Sequence, residues 1–290
     1  MKVKSEKTRV WDWFFVILCV LISAICLIPM INLLARSLSG TDFLVKHEVY
    51  LLPKGLNFDA YGTVLKDPKY IRAFFYTAAL TLISTVVSLT MTTICAYPLI
   101  FPGLKGRKVI NVLITITMFF NAGTIPNYLL IQKLGMLDKP IVLILPYCLS
   151  VYNMIIMRSF FYGIPDSLRE AAEIDGASYF KILLSIYVPL SKPVMATLAL
   201  FYAVGRWNGY SDALLYIKKS EYYPLQLLLY NILNNINSVE VATQEGFSTP
   251  GLSEALKAAI VMFSTVPILC IYPFLQKYFI AGVMVGAVKE

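Results

Sequence analysis

The side chains that could do chemistry in this chain are few and clustered. Glu170, Glu173 and Asp175 fall in "SLREAAEIDGASYFKILLSIYVPLSKP" (167–193), a charged, alanine-rich run between two apolar blocks. Glu170 and Glu173, at i and i+3, share a helical face, and carboxylates so placed suit charge-assisted docking to a basic partner. A second cluster, Arg206, Trp207, Asn208 and Tyr210, opens "GRWNGYSDALLYIKKSEYYPLQLLLYNIL". It joins flat aromatic faces to hydrogen-bond donors, a mixture that fits the C–H faces and hydroxyls of sugars. An interfacial aromatic belt uses the same residues. A third set, Asn121, Thr124, Asn127, Tyr147, Tyr152 and Asn153, places polar groups inside apolar blocks. Such groups line a water-filled path or make interhelical hydrogen bonds.

Catalytic chemistry finds little support. His47 is the only histidine, and no Ser-His-Asp, H-E-x-x-H or G-x-S-x-G arrangement is present. A P-loop needs G-x-x-x-x-G-K-[ST] to hold phosphates, and "GLKGRK" is too short for one. Cys19, Cys26, Cys95, Cys148 and Cys270 lie in apolar blocks without a C-x-x-C pair, so they read as packing residues. No metal site is expected.

The elements that must position these clusters are membrane helices. Of 290 residues, 58% are hydrophobic and 14% charged, and the mean hydropathy is +0.69. No soluble domain of this size needs that much apolar material. Six blocks reach the length of about 20 apolar residues that a spanning helix needs: 13–34, 73–99, 109–131, 141–157, 194–210 and 258–276. They are continuously apolar rather than alternating, which selects helices over barrel strands. The fold expected is all-α and integral to the membrane, with six transmembrane helices. The first block is too long for a signal-peptide core and lacks an A-x-A-like site after it, so it reads as an uncleaved span. Pro98, Pro126, Pro146, Pro267 and Pro273 are expected to kink or interrupt helices.

Lys2, Lys4, Lys7 and Arg9 precede the first span, and Lys105, Arg107 and Lys108 follow the second. Positive flanks face the cytoplasm. That orientation gives a cytoplasmic N-terminus (1–12), one transmembrane domain (13–290), a cytoplasmic loop (159–192), outer loops (37–72 and 211–257) and a cytoplasmic tail from Lys277. The formal charge of +8 is explained by these flanks and anionic headgroups, not by nucleic acid. In the second outer loop, "PLQLLLYNILNNI" has helical spacing, and "TQEGFSTPGLSE" reads as turns with Thr249 or Ser253 available as a cap.

The spans carry no ionisable residue except Arg206, so a proton or cation relay has no groups to use. If the protein moves a solute uphill, another chain supplies the energy. In the 167–193 run, Ser167 and Glu170 match the S-x-x-E capping box. Ala171 and Ala172 keep a surface small, and Gly176 suits the C′ position that ends the helix.

The run "EAAEIDGASYFKILLSIYVP" resembles the E-A-A-x-x-D-G-A, eight residues, I-x-L-P pattern of ATP-binding-cassette (ABC) importer permeases, with Val188 in place of the leucine. The resemblance implies a type I importer permease bundle whose loop fits a groove on a separate ATPase. It implies that Glu170 meets a basic ATPase residue, with Ala171 and Ala172 at the contact, that Asp175 orders the loop and that Gly176 makes its turn. Trp207, Asn208 and Tyr210 are similar to the W-N-x-Y element of the carbohydrate-importer, maltose-permease-like branch. "YYPLQLLL" in place of T-L-P-x-G-L looks closer to permeases for oligosaccharides and polysaccharides, alginate or pectin fragments among them. With the polar groups inside the apolar blocks and the Arg206 cluster, this makes Asn121, Tyr147, Asn153, Arg206, Trp207, Asn208 and Tyr210 the expected substrate-pathway residues.

The partners implied are a second, homologous permease, two ATPase subunits that carry ATP and Mg, an extracytoplasmic binding protein and a saccharide. This chain itself is a non-catalytic subunit without a cofactor. An ABC permease for another solute class, an ion-driven carrier and a non-transporting membrane scaffold or sensor are the rival readings.

Overall fold

The computed structural model describes residues 6–235 and 254–271. The chain runs through α1 (Glu6–Ser37), α2 (Thr41–Val45), α3 (Asp59–Lys66), α4 (Pro68–Ala96), α5 (Arg107–Phe119), α6 (Thr124–Lys133) and α7 (Val151–Phe161). It continues through α8 (Asp166–Ile174), α9 (Tyr179–Ile182), α10 (Val188–Leu190), α11 (Lys192–Asn208), α12 (Ser211–Tyr216) and α13 (Leu225–Asn235). α14, Glu254–Ile271, completes the described residues. Apolar blocks become helices because hydrocarbon offers backbone groups no partner, so each must bond within its own segment.

Three helices are long and apolar enough to cross a membrane unaided: Asp12–Ser37 within α1, Pro68–Ile100, which is α4 with a 3₁₀ turn, and α14. Counting each bent pair as one span gives up to six. The expected first, second and fifth blocks fall on α1, α4 and α11. The sixth falls on α14 as far as Ile271; its remainder, Pro273, Thr249, Ser253 and the tail from Lys277 lie outside the described residues.

The third block is interrupted, in keeping with the expectation set by Pro126. α5 and α6 meet at 113°. Gly123, at φ +92°, takes a conformation that favours glycine, and Asn121 Oδ1 accepts the Gly123 amide at 2.9 Å. Pro126, third in α6, cannot donate to the helix before it. The fourth block is likewise interrupted. It begins as 3₁₀ turns over Pro140–Leu143 and Leu145–Tyr147, each with a proline in its first two positions, and bends by 48° into α7. Ser150 then caps α7 by accepting the Asn153 amide.

Where the sequence reads 13–290 as one domain, contacts group the chain into two compact units. The first comprises, of the described residues, 6–71, 229–235 and 254–266. Its buried side chains include Leu44, Val64, Leu256 and Ile260. In it Arg36, at the end of α1, pairs with Glu254, at the start of α14. The most apolar 18-residue window of α1 buries nothing, so this helix turns its aliphatic girth outward, as a lipid-facing span does.

The second unit comprises, of the described residues, 72–228 and 267–271. Its core joins the end of α4 to α7, α11 and the segment between α9 and α10 through Tyr97, Met157, Phe161, Ile182, Tyr187 and Leu198. Three rings lock edge to face: Tyr97 to Tyr187 at 5.1 Å, Phe161 to Tyr187 at 5.3 Å and Tyr97 to Phe161 at 6.4 Å. Such pairs contribute about 0.5–1.5 kcal/mol each beyond the area they bury.

Candidate functional site

The acidic loop is built from α8 upward. Pro165, extended at ψ 131°, precedes Asp166 as the first helical residue, and no side chain caps this end. The expected capping box of Ser167 and Glu170 is therefore not formed. The helix begins two residues too early for that, which moves Ser167 inside it and leaves Asp166 to complement the helix dipole. The serine cap of this region is Ser178, which accepts the Lys181 amide at the start of α9.

Gly176 ends α8 at φ +72°. Its amide donates to the Glu173 carbonyl at 3.0 Å and the Ala177 amide to the Ala172 carbonyl at 2.9 Å. This is the 5→2 and 6→1 pair of a Schellman turn, so Gly176 occupies the C′ position read from the sequence.

Arg169 fixes which face of α8 points away from the protein. Its guanidinium lies 5.6 Å above the Phe101 ring and bonds Glu173 at 2.8 Å, with only 18% of the side chain exposed. A cation over an aromatic face holds best when partly desolvated. With Arg169 turned inward, Ala172 packs against the core cluster, while Glu170, Ala171 and Asp175 are exposed. The two alanines thus do different work: Ala171 leaves outward room, and Ala172 lets α8 lie close to its own protein. Nearby, Ile174 is 87% and Phe180 64% exposed. Glu170 stands amid this apolar surface, its carboxylate 3.8 Å from Arg169 and 64% exposed.

From α8 the chain returns to the membrane through α9, a π turn at Leu183–Tyr187, and α10. It then bends by 82° into α11. Tyr187 in that π turn belongs to the three-ring cluster, so the loop is braced on α4 and α7 as well as on α11.

Farther along α11, a cavity of about 390 Å³ is lined by Ser84, Ser88, Tyr147, Ser150, Asn153, Tyr202, Arg206 and Asp212, with Phe201 supplying an aromatic face. That volume lies in the range of small-molecule sites. Tyr202 is held by Thr92, 2.6 Å from its hydroxyl, and by the Ser150 amide, which donates to it at 3.2 Å. Of the substrate-pathway residues read from the sequence, the structure brings Tyr147, Asn153 and Arg206 together here. The other four do not line it. Asn121 spends its side chain on the α5–α6 break, accepting from Gly123 and Asn127. Trp207 is buried and packs edge to face on Phe74 at 5.8 Å, so its ring is a core contact rather than a sugar platform. Asn208 turns back on α11, donating to the Val204 carbonyl at 3.0 Å. Tyr210 is exposed beyond the end of α11.

Arg206 is tied down. It grips Asp212 with both terminal nitrogens, at 2.5 and 3.0 Å, and donates to the Leu143 carbonyl at 2.8 Å. Both side chains of the pair are over nine-tenths buried. Asp212 escaped the sequence reading because Gly209 ends the span before it; the signal available was an acid six residues after the only span arginine, across a helix break. Ser84 and Ser88 escaped as well, although their i, i+4 spacing on α4 puts both hydroxyls on one face.

Comparison with known proteins sets these features in a family. Residues 73–285 match the family of binding-protein-dependent transport system inner membrane components. Protein LplC of Bacillus subtilis is 38% identical over 98% of this chain and 97% of its own length. The polygalacturonan/rhamnogalacturonan transport system permease protein YtcP of the same organism is 35% identical over 98% and 99%. Among solved structures, a chain of a bacterial ABC transporter involved in the import of the acidic polysaccharide alginate superposes with a TM-score of 0.89 at 33% identity, covering 96% of this chain and 100% of that one. With a helical fold, up to six spans and the acidic loop in place, the chain belongs to the binding-protein-dependent inner-membrane permeases, the multi-pass, non-catalytic membrane subunits of ABC importers.

Proposed function

We propose that this permease imports oligosaccharide or polysaccharide fragments rich in uronic acid. The observation that carries this reading is the likeness, along nearly the whole chain, to the alginate importer chain. The 35% identity to a polygalacturonan/rhamnogalacturonan permease supports the same class, and a cavity rich in hydroxyl side chains suits a polyol. The working complex contains a second, homologous permease, two ATPase subunits carrying ATP and Mg, and an extracytoplasmic binding protein. Both termini face the cytoplasm.

In this reading the face of α8 bearing Glu170, Ala171 and Asp175 docks in a groove of the ATPase. When ATP closes the ATPase pair, α8 moves with it. The Tyr97–Phe161–Tyr187 cluster passes that movement to α4 and α7, and α11 follows through the π turn. The coupling is reciprocal in binding terms, so a loaded binding protein outside favours the ATP-closed state inside.

Reconstitution of the complex in liposomes tests both parts. Oligogalacturonate or oligo-alginate, delivered by the binding protein, is expected to stimulate ATP hydrolysis and to accumulate inside. Stimulation by a peptide or amino acid and by no saccharide would remove the substrate assignment. Glu170→Ala is expected to lower uptake and stimulated hydrolysis together by tenfold or more at normal expression, since a charge-assisted contact contributes about 1.5–3 kcal/mol. Unchanged uptake in that variant would remove the docking role.

A further inference from the structure

Two buried polar atoms of residues that line the cavity lack any hydrogen-bond partner: Ser84 Oγ on α4 and Arg206 Nε on α11. Both residues are at least nine-tenths buried, Ser84 at 6% exposure and Arg206 at 9%. Buried polar groups are nearly always satisfied, and each exception calls for an explanation. Here one is a hydroxyl that donates or accepts and the other an N–H that only donates. Ligand hydroxyls, each both donor and acceptor, suit either atom.

The charge of the guanidinium is a separate matter. Asp212 engages both terminal nitrogens in a bidentate pair, which cancels the charge and occupies the fork that would otherwise clasp a carboxylate. No other ionisable group lines this cavity except the phenols of Tyr147 and Tyr202.

We propose that Ser84 Oγ and Arg206 Nε form a saccharide subsite that reads sugar hydroxyls, and that Asp212 makes it indifferent to the carboxylate of an acidic sugar. This rests on the saccharide reading above and adds a division of labour: selection for acidic sugars is made by other chains of the importer, and this wall holds the neutral face of the ring.

The test is equilibrium binding of an oligogalacturonate and its methyl ester to the complete permease–ATPase complex without binding protein. Wild type is expected to bind the two within about twofold of each other. Ser84→Ala is expected to weaken both by about fivefold, the worth of one ordinary hydrogen bond. Asp212→Asn, which frees a cationic fork, is expected to favour the acid over the ester by about tenfold or more. The double variant Arg206→Met, Asp212→Leu removes the pair without leaving a buried charge; it is expected to weaken both ligands alike and serves if Asp212→Asn fails to fold. A wild-type preference for the acid that is lost in the double variant would overturn the proposal, as would unchanged binding in Ser84→Ala. Failure of wild type to bind either ligand would remove the subsite, whereas import by the intact system, measured separately, decides the broader reading.

Discussion

At the scale of single residues, Gly176 and Asp138 carry sharp expectations. At φ +72° Gly176 has open space where a Cβ would stand, so alanine there meets no clash, only left-handed strain of about 1–2 kcal/mol. Amide exchange at the end of α8 should therefore quicken by about 5- to 30-fold in Gly176→Ala, and asparagine, which tolerates this conformation, should restore much of the protection. This glycine was legible because its role is purely local: helix periodicity stops and a residue without a Cβ follows. Asp138 was not legible, because its partners lie eighty residues away. Its Oδ1 accepts the amides of Lys218 and Lys219, each at 2.9 Å, and its own amide donates to the Tyr216 carbonyl. These amides, Lys219 foremost, hold the carboxyl below its ordinary value of 3.8. A lowered folded-state pKa gives stability that is present above the ordinary value and is lost as pH falls through the folded one. The difference in thermal unfolding between wild type and Asp138→Asn should hold steady from pH 7 to about 5 and vanish in stronger acid.

At the scale of elements, the end of α11 is held by one buried ion pair. Asp212→Ala would strand Arg206 in a dry wall, and breaking such a pair costs about 3–5 kcal/mol. Denaturant unfolding in detergent should show that loss, whereas the apolar replacement of both partners should unfold close to wild type. The sequence makes Arg206 conspicuous as the only charge in a span. It cannot show that α12 turns Asp212 back to meet it, because that depends on the chain path across Gly209. The sharpness of the breaks in the third and fourth spans was hidden for a related reason. Hydropathy averages over about 20 residues, whereas the break at 120–123 is decided by Asn121, Gly123 and Pro126 alone. Prolines within apolar blocks flagged interruptions; their angles come from packing.

At the scale of the molecule, composition carries furthest. Helical class and number of spans follow from the cost of an unbonded amide in hydrocarbon, which no tertiary detail overrides. The proposed orientation rests on the basic flanks alone and is open to direct measurement. In a background without native cysteines, Lys105→Cys should react with a membrane-impermeant thiol reagent only after the cell membrane is opened. Lys218→Cys should react in cells whose cytoplasmic membrane is intact. The reverse pattern would invert the topology, and with it the docking of α8. The cavity, in contrast, draws on α4, α7, α11, α12 and the connection before α7, so no single stretch of sequence announces it.

The π turn at 183–187 has a further meaning. Such a turn is what remains when one residue is added to an α-helix without being absorbed elsewhere. Between α8 and α11 it takes up one residue locally, so the helix on either side keeps the phase of a shorter, regular one, although each residue of regular helix advances a side chain by about 100°. Removing Leu184 should therefore restore an ordinary ladder and leave the flanking faces in phase, whereas adding one residue to α9 should swing the Glu170 face by about that angle relative to Tyr187. The second variant would keep its spans and its acidic motif and still present the motif in another direction. Where α8 turns its acidic face is thus written partly in a count of residues, in a segment whose side chains give no hint of it.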